Sequence, residues 1–236
     1  MSDTLHPGRH PAGVAERLPE EDVTTLEVSE IYRSLQGEST RAGLPCTLVR
    51  LTGCGLRCTY CDTAYAFDGG QGMPLSQVVE QVQALGSDLV LVTGGEPLEQ
   101  PGAAALIQAL ADLGGTVMVE TGGHVDIAAA AAATTVVLDL KTPGSGMAGR
   151  NRWENLDLLR SDDEIKFVLT SRRDYLWARD VMERKQLAGV CPILFSPVRE
   201  QLDPAVLAGW ILEDRLPVRL NLQLHRYVWP DADRGV

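Results

Sequence analysis

The sequence has no long hydrophobic run. No stretch approaches the roughly 18 consecutive apolar residues of a membrane-spanning helix, and no apolar segment follows the first residues as in a secretory signal. Basic residues are scarce, 21 Lys and Arg against 32 Asp and Glu, a formal charge of −11. That balance speaks against tight, sequence-independent binding to a nucleic acid backbone. Cysteine is sparse too, five in 236 residues and three of them clustered. A secreted disulfide framework is thereby excluded, and a reducing cytoplasm is the expected location. Neither an internal repeat nor a linker divides the chain, so residues 26–236 are read as one domain. Residues 1–25, polar and with three prolines, are read as a mobile leader. The 44% hydrophobic content and the length suffice for a sizeable core.

The apolar residues come in short β-branched runs separated by segments with helical spacing. Strands are expected at 26–32, 46–52, 88–93, 116–120, 135–140, 164–169, 191–196 and 218–223, and helices at 75–85, 101–113, 172–187 and 204–212. Asp203 before Pro204 reads as an N-cap with proline at the first helical position. Runs such as Leu89-Val90-Leu91-Val92 look buried on both faces, as parallel strands are. Such alternation makes an α/β protein, and about six units are too few for a full eightfold barrel. The expected fold is an incomplete (β/α)6-type, TIM-like barrel with its chemistry at the C-terminal strand ends.

Three cysteines lie within eight residues, Cys54-Gly-Leu-Arg-Cys58-Thr-Tyr-Cys61. Three thiolates leave one position open on a tetrahedral zinc or a four-iron cluster. A [4Fe-4S] cluster held this way keeps one iron for a small molecule. A zinc knuckle with a distant fourth ligand is the alternative, although zinc sites usually come as paired C-x2-C units. One unit later, Gly94-Gly95-Glu96-Pro97 places paired glycines at a strand end, where backbone can approach a ligand. Glu96 suits an ammonium group. Cys46 and Cys191, in apolar runs, read as small buried residues, and Trp153, Trp177 and Trp210 as packing or interface residues.

The C-x3-C-x2-C spacing with Tyr60 before the last cysteine, followed by Gly94-Gly95-Glu96-Pro97, resembles the radical S-adenosylmethionine (SAM) superfamily. Ser34-Leu35-Gln36-Gly37-Glu38, Cys61-Asp62-Thr63, Glu120-Thr121-Gly122-Gly123, Asp163-Glu164-Ile165-Lys166-Phe167 and Leu222-Gln223-Leu224-His225 narrow the resemblance to the 7-carboxy-7-deazaguanine synthase family. The likeness runs from about residue 30 to residue 236. It implies a lyase that contracts 6-carboxy-5,6,7,8-tetrahydropterin to 7-carboxy-7-deazaguanine with loss of ammonia, in queuosine and 7-deazapurine biosynthesis. SAM is cleaved to a radical and regenerated, and the protein aims and shields that chemistry. No side chain is singled out as acid, base or nucleophile.

By the same resemblance, Cys54, Cys58 and Cys61 hold the cluster and Thr63 holds Mg2+. SAM contacts fall to Tyr60, Cys61, Asp62, Gly94, Gly95, Glu96, Gly123, Asp139, Leu140, Lys141 and Ser196. Substrate contacts fall to Leu35, Gln36, Gly37, Arg50, Thr121 and Pro230, with Arg50 suited to a carboxylate held by two parallel bonds. Glu38 and Glu120 are read either as site carboxylates or as structural acceptors, and His225 likewise as a substrate neighbour or a satisfied histidine. A flavodoxin or ferredoxin reductant and a homodimer are implied as partners, with no nucleic acid and no membrane. The competing readings are a glycyl-radical activating enzyme and a non-catalytic iron-sulfur electron carrier. In three places the chain departs from the family pattern: Gly55 for a frequent asparagine, Ser39-Thr40 for a glycine-rich continuation, and Thr142 and Gly144 in the Lys141–Met147 segment.

Overall fold

The computed structural model describes residues 24–232 and 234–236. The leader expected over residues 1–25 lies outside the described residues except for Thr24 and Thr25, and Thr25 opens the first strand.

Among the described residues the strands are β1 (Thr25–Leu35), β2 (Pro45–Leu51), β3 (Gln71–Pro74), β4 (Leu89–Gly94), β5 (Thr116–Thr121), β6 (Thr135–Asp139), β7 (Glu164–Leu169), β8 (Ile193–Pro197) and β9 (Arg219–Leu220). The helices are α1 (Leu75–Leu85), α2 (Ala103–Ala111), α3 (Ala128–Ala131), α4 (Arg172–Arg184), α5 (Pro204–Asp214) and α6 (His225–Val228). They build one open sheet in the order β3-β1-β2-β4-β5-β6-β7-β8-β9. From β2 to β9 every neighbouring pair is parallel, while β1 runs antiparallel to β2 and β3. Because the parallel strands follow chain order, right-handed crossovers bring their helices to the same face. This is the expected incomplete barrel, with β9 as a short seventh parallel strand.

Side-chain alternation divides the strands between two faces. Val90, Val92, Val136, Leu138, Ile165, Phe167, Ile193 and Phe195 pack with helix residues such as Val78, Leu106, Tyr175 and Leu207 in the main core. Cys46, Leu48, Leu89, Leu91, Met118 and Val137 form a small second cluster on the other face. Each fully buried large side chain contributes roughly 1.5–3 kcal/mol relative to exposure, so the helix-covered face carries most of the stability. The tryptophans pack there as expected: Trp153 lies 6.4 Å from Trp177, and Trp210 lies 5.3 Å from Tyr175. Asp203 caps α5 by accepting from the Ala205 amide at 2.7 Å.

Two strands depart from the sequence reading. β3 was unexpected, since Gln71-Gly72-Met73-Pro74 has no apolar alternation and is a strand through its pairing with β1. Residues 218–223 were expected as a full strand, but only Arg219 and Leu220 pair with β8. Past Asn221, whose amide bonds Phe195 O at 2.9 Å, the chain turns across the sheet end. That turn brings Gln223 and His225 into the cavity described next.

Candidate active site

On the face without the main core, each strand changes character two residues further along. Leu48 gives way to Arg50, Leu91 to Thr93, Met118 to Glu120, Val137 to Asp139 and Leu194 to Ser196, with Lys166 beside them on β7. These polar residues line one cavity of about 220 Å³ at the C-terminal strand ends. The small apolar cluster is its floor, and its walls come from the loops.

The polar layer is a connected network. Lys166, 5% exposed, bonds Glu38 at 2.9 Å, is paired with Glu120, and lies 3.9 Å from Asp139. Burial works against its charge, but the three carboxylates outweigh that and raise its pKa well above the usual lysine range. Lys141 pairs with Asp139 at 2.9 Å and is raised in the same way. The Asp139 Oδ1 atom is buried without a protein partner. Glu38 also accepts from Asn221 and Gln223, and Asn221 donates to Ser196 at 2.7 Å. Glu38 and Glu120 are therefore both acceptors within the network and lining of the cavity.

The three clustered cysteines sit on the loop after β2, and all three line the cavity. Burial raises the Cys54 and Cys58 thiols above the ordinary cysteine value, with Lys141 opposing it at Cys58. Among the described residues no three His, Cys, Asp or Glu side chains are placed to hold one metal ion. Three cysteines on one loop lining one cavity suit a cluster whose cysteines bind separate irons. The loop is tied to the 142–146 segment by Thr59, whose amide bonds Ser145 O at 3.1 Å and whose hydroxyl bonds Gly144 O at 2.7 Å. Thr63 lines the same wall, 3.8 Å from the Cys61 sulfur.

Gly94 and Gly95 have a structural reason to be glycine. A Cβ at Gly95 would overlap Gly53 O, and one at Gly94 would overlap Leu51 O. Their backbone is bound to the cysteine loop: the Gly95 amide bonds Leu51 O at 3.1 Å and the Glu96 amide bonds Gly53 O at 2.7 Å. The Gly95 and Glu96 amides are thus already used. The Glu96 carboxylate is committed as well, accepting from the Thr121 hydroxyl at 2.8 Å, the Gly122 amide at 2.8 Å and the Leu98 amide at 3.1 Å. What the geometry shows for Glu96 is a tie between the ends of β4 and β5.

At the other end of the cavity, Leu35, Gln36 and Gly37 form a wall with His225. The imidazole lies over the Gly37 Cα, where any Cβ would collide with it. Arg50 lines the cavity and donates to Glu30 at 2.8 Å through Nε and to Tyr32 OH at 3.3 Å through Nη2. Val236 also lines the cavity, and its backbone oxygen accepts from Tyr32 OH at 3.1 Å.

Three sequence-based candidates lie elsewhere. Leu140 points into the main core, fully buried, because it alternates with Asp139 and Lys141. Gly123 is not in the lining; its φ of +69° shapes the turn, and its neighbour Gly122 faces the cavity instead. Pro230 is exposed, and Val236 reaches the site in its place. Sequence reasoning gave no role to Lys166 or Gln223, although both stand in quoted motifs. A lone lysine between Ile165 and Phe167 was the available signal.

An open parallel sheet with three thiols at one strand end and Gly-Gly-Glu-Pro at the next defines a radical SAM domain. The family model described as the Radical SAM superfamily matches residues 48–160. A 7-carboxy-7-deazaguanine synthase of Chlorobaculum tepidum is 45% identical, over 89% of this chain and 97% of that protein. One of Koribacter versatilis is 41% identical, over 89% of this chain and 100% of that protein. The chain belongs to the 7-carboxy-7-deazaguanine synthase family. The crystal structure of QueE from Escherichia coli shares the fold, with a TM-score of 0.68 at 19% identity, over 84% of this chain and 94% of that one.

Proposed function

We propose that this radical SAM enzyme converts 6-carboxy-5,6,7,8-tetrahydropterin to 7-carboxy-7-deazaguanine with loss of ammonia. The observation that carries the reading is a single cavity joining the three-cysteine loop to the Leu35-Gln36-Gly37 wall and Arg50. Cys54, Cys58 and Cys61 would hold the [4Fe-4S] cluster. Tyr60, Asp62, Gly94, Gly95, Asp139, Lys141 and Ser196 would surround SAM, with the unpartnered Asp139 Oδ1 as a buried acceptor for one of its donors. When bound, the cluster and SAM supply the radical that starts the reaction.

The chain's own residues hold and shield the pterin. Gln36 and the backbone around it present donors and acceptors to a pyrimidinone edge. Arg50, held in place by Glu30, offers its fork to the substrate carboxylate. Thr121 lines the same cavity. Thr63 beside Cys61 would bind Mg2+, which keeps several waters and accepts one hydroxyl among them. The family resemblance supports a flavodoxin or ferredoxin reductant, a homodimer and a cytoplasmic location; no described helix is long and apolar enough to cross a membrane. The glycyl-radical alternative is not favoured, because the relatives matching most of the chain carry the synthase name.

The test is an anaerobic assay of reconstituted protein with SAM, Mg2+, dithionite and 6-carboxytetrahydropterin, read by mass spectrometry. Formation of 7-carboxy-7-deazaguanine without matching loss of SAM is the expected result. Accumulation of 5′-deoxyadenosine with the pterin intact would leave the radical machinery standing and remove the substrate.

A further inference from the structure

Beside the cysteine loop, outside the cavity network, lies a second set of polar contacts. Glu99 Oε1 accepts the Gly55 amide at 2.9 Å and faces His124 Nε2 at 2.7 Å. The His124 side chain is only 3% exposed, and its Nδ1 lies 3.7 Å from Glu96 Oε2. The imidazole is therefore wedged between two carboxylates that flank the one short turn Pro97–Glu99. The carboxylate packs directly against Gly55, where a Cβ would sit 2.5 Å from Glu99 Oε1.

The consequence concerns hydrogen bonds near the first cysteine. The Leu56 amide already points at the Cys54 sulfur, at 3.4 Å. The Gly55 amide is drawn the other way, and a carboxylate stands beside it. Cluster potentials respond to local charge and to amide bonds at sulfur, and partners outside the ligand shell fix the ligands themselves.

We propose that Glu99, held by His124, is a positioning residue of the cluster loop: it anchors the Cys54–Cys58 span through the Gly55 amide and makes the cluster harder to reduce. The inference rests on the cluster reading above. Its test uses the reconstituted full chain and two readouts, iron loss to a chelator and a redox titration followed by electron paramagnetic resonance. Glu99→Gln keeps an acceptor for Gly55 and removes the charge, so iron loss stays at the parent rate while the potential moves upward. Glu99→Ala and His124→Ala both release the anchor, and each loses iron roughly tenfold faster, at the low end of what such outer partners contribute. The double variant adds little to either single one, as expected for one shared contact. Unshifted potential in Glu99→Gln, or parent-like iron loss in His124→Ala, overturns the proposal. Should Glu99→Ala fail to fold, the potential of Glu99→Gln decides alone. A parent chain that takes up no cluster overturns the cluster reading instead, before any variant is compared.

Discussion

Lys166 and Phe167 are neighbours on β7 and face opposite sides of the sheet. Phe167 is fully buried, edge-on to Phe195 at 5.6 Å and to Trp177 at 6.3 Å. Lys166 is nearly as buried, but in the company of Glu38, Glu120 and Asp139. One face is held by apolar contact, which is tolerant of geometry and sums over many residues. The other is held by charge pairs that are stable only as a complete set. A single strand can thus serve the core and the site at once, since its side chains alternate.

The sharpest separation of the two faces comes from the cysteine loop. Cys58→Ala should abolish cluster assembly and activity while leaving the thermal unfolding of the cluster-free protein nearly unchanged, because its half-buried thiol is outside the main core. Iron analysis and calorimetry on the same sample check both halves. Unchanged iron content would remove Cys58 from the ligand set.

Next come the two neighbours on β7. Phe167→Ala should destabilise the fold by about 3–5 kcal/mol through the cavity it leaves. Lys166→Met should cost about 3 kcal/mol at neutral pH, because the half-buried Glu38 and Glu120 lose the cation they share. Denaturant titrations at two pH values tell them apart. Acid should narrow the deficit of Lys166→Met as the stranded carboxylates protonate, and leave that of Phe167→Ala in place. Parallel pH profiles would mean that the charge layer is not what Lys166 supports.

The legibility of the molecule follows the same division. The helix-covered face was readable because burial imposes a period: α1 occupies the residues expected of it, and every parallel strand except the two-residue β9 falls on an apolar run. β3 was not readable, since its cause lies in β1 and not in its own residues. Residues with one evident chemistry in the sequence, the three cysteines and Arg50, are brought together in the cavity lining. Where backbone packing sets the residue, the sequence shows only part of the reason. Gly94 and Gly95 look like room for a ligand and line the cavity, and they are also required by the cysteine loop against them. Leu140 shows that a contiguous motif does not make a contiguous site, since alternation sends it to the core.

A smaller effect tests a departure from the family pattern. Ser39 has a φ of +73°, where a side chain costs about 1–2 kcal/mol that glycine avoids. Its hydroxyl recovers part of that by accepting the Arg41 amide at 3.0 Å. Ser39→Gly should therefore gain at most about 1 kcal/mol, seen as a raised denaturation midpoint. A loss of stability would show that the hydroxyl contact outweighs the strain.

The slightest expected effect is a pH slope from His225. Burial lowers its pKa below the usual 6.5, against the pull of Glu38 and Asp62. The unfolded chain then takes up a proton before the folded one does. Stability should fall as pH drops through 6.5 toward the lower folded value, and level off below that. His225→Asn should flatten this part of the stability profile while leaving the acid limb set by the carboxylates. The comparison is sharpened because His225 lies on the cavity side, over Gly37. The folded protein itself takes up this proton only around the lower value, so a loss of substrate affinity from charging His225 should appear at the acid end of that window and below it. A slope that survives in His225→Asn would assign the titration to another group and free the wall from it.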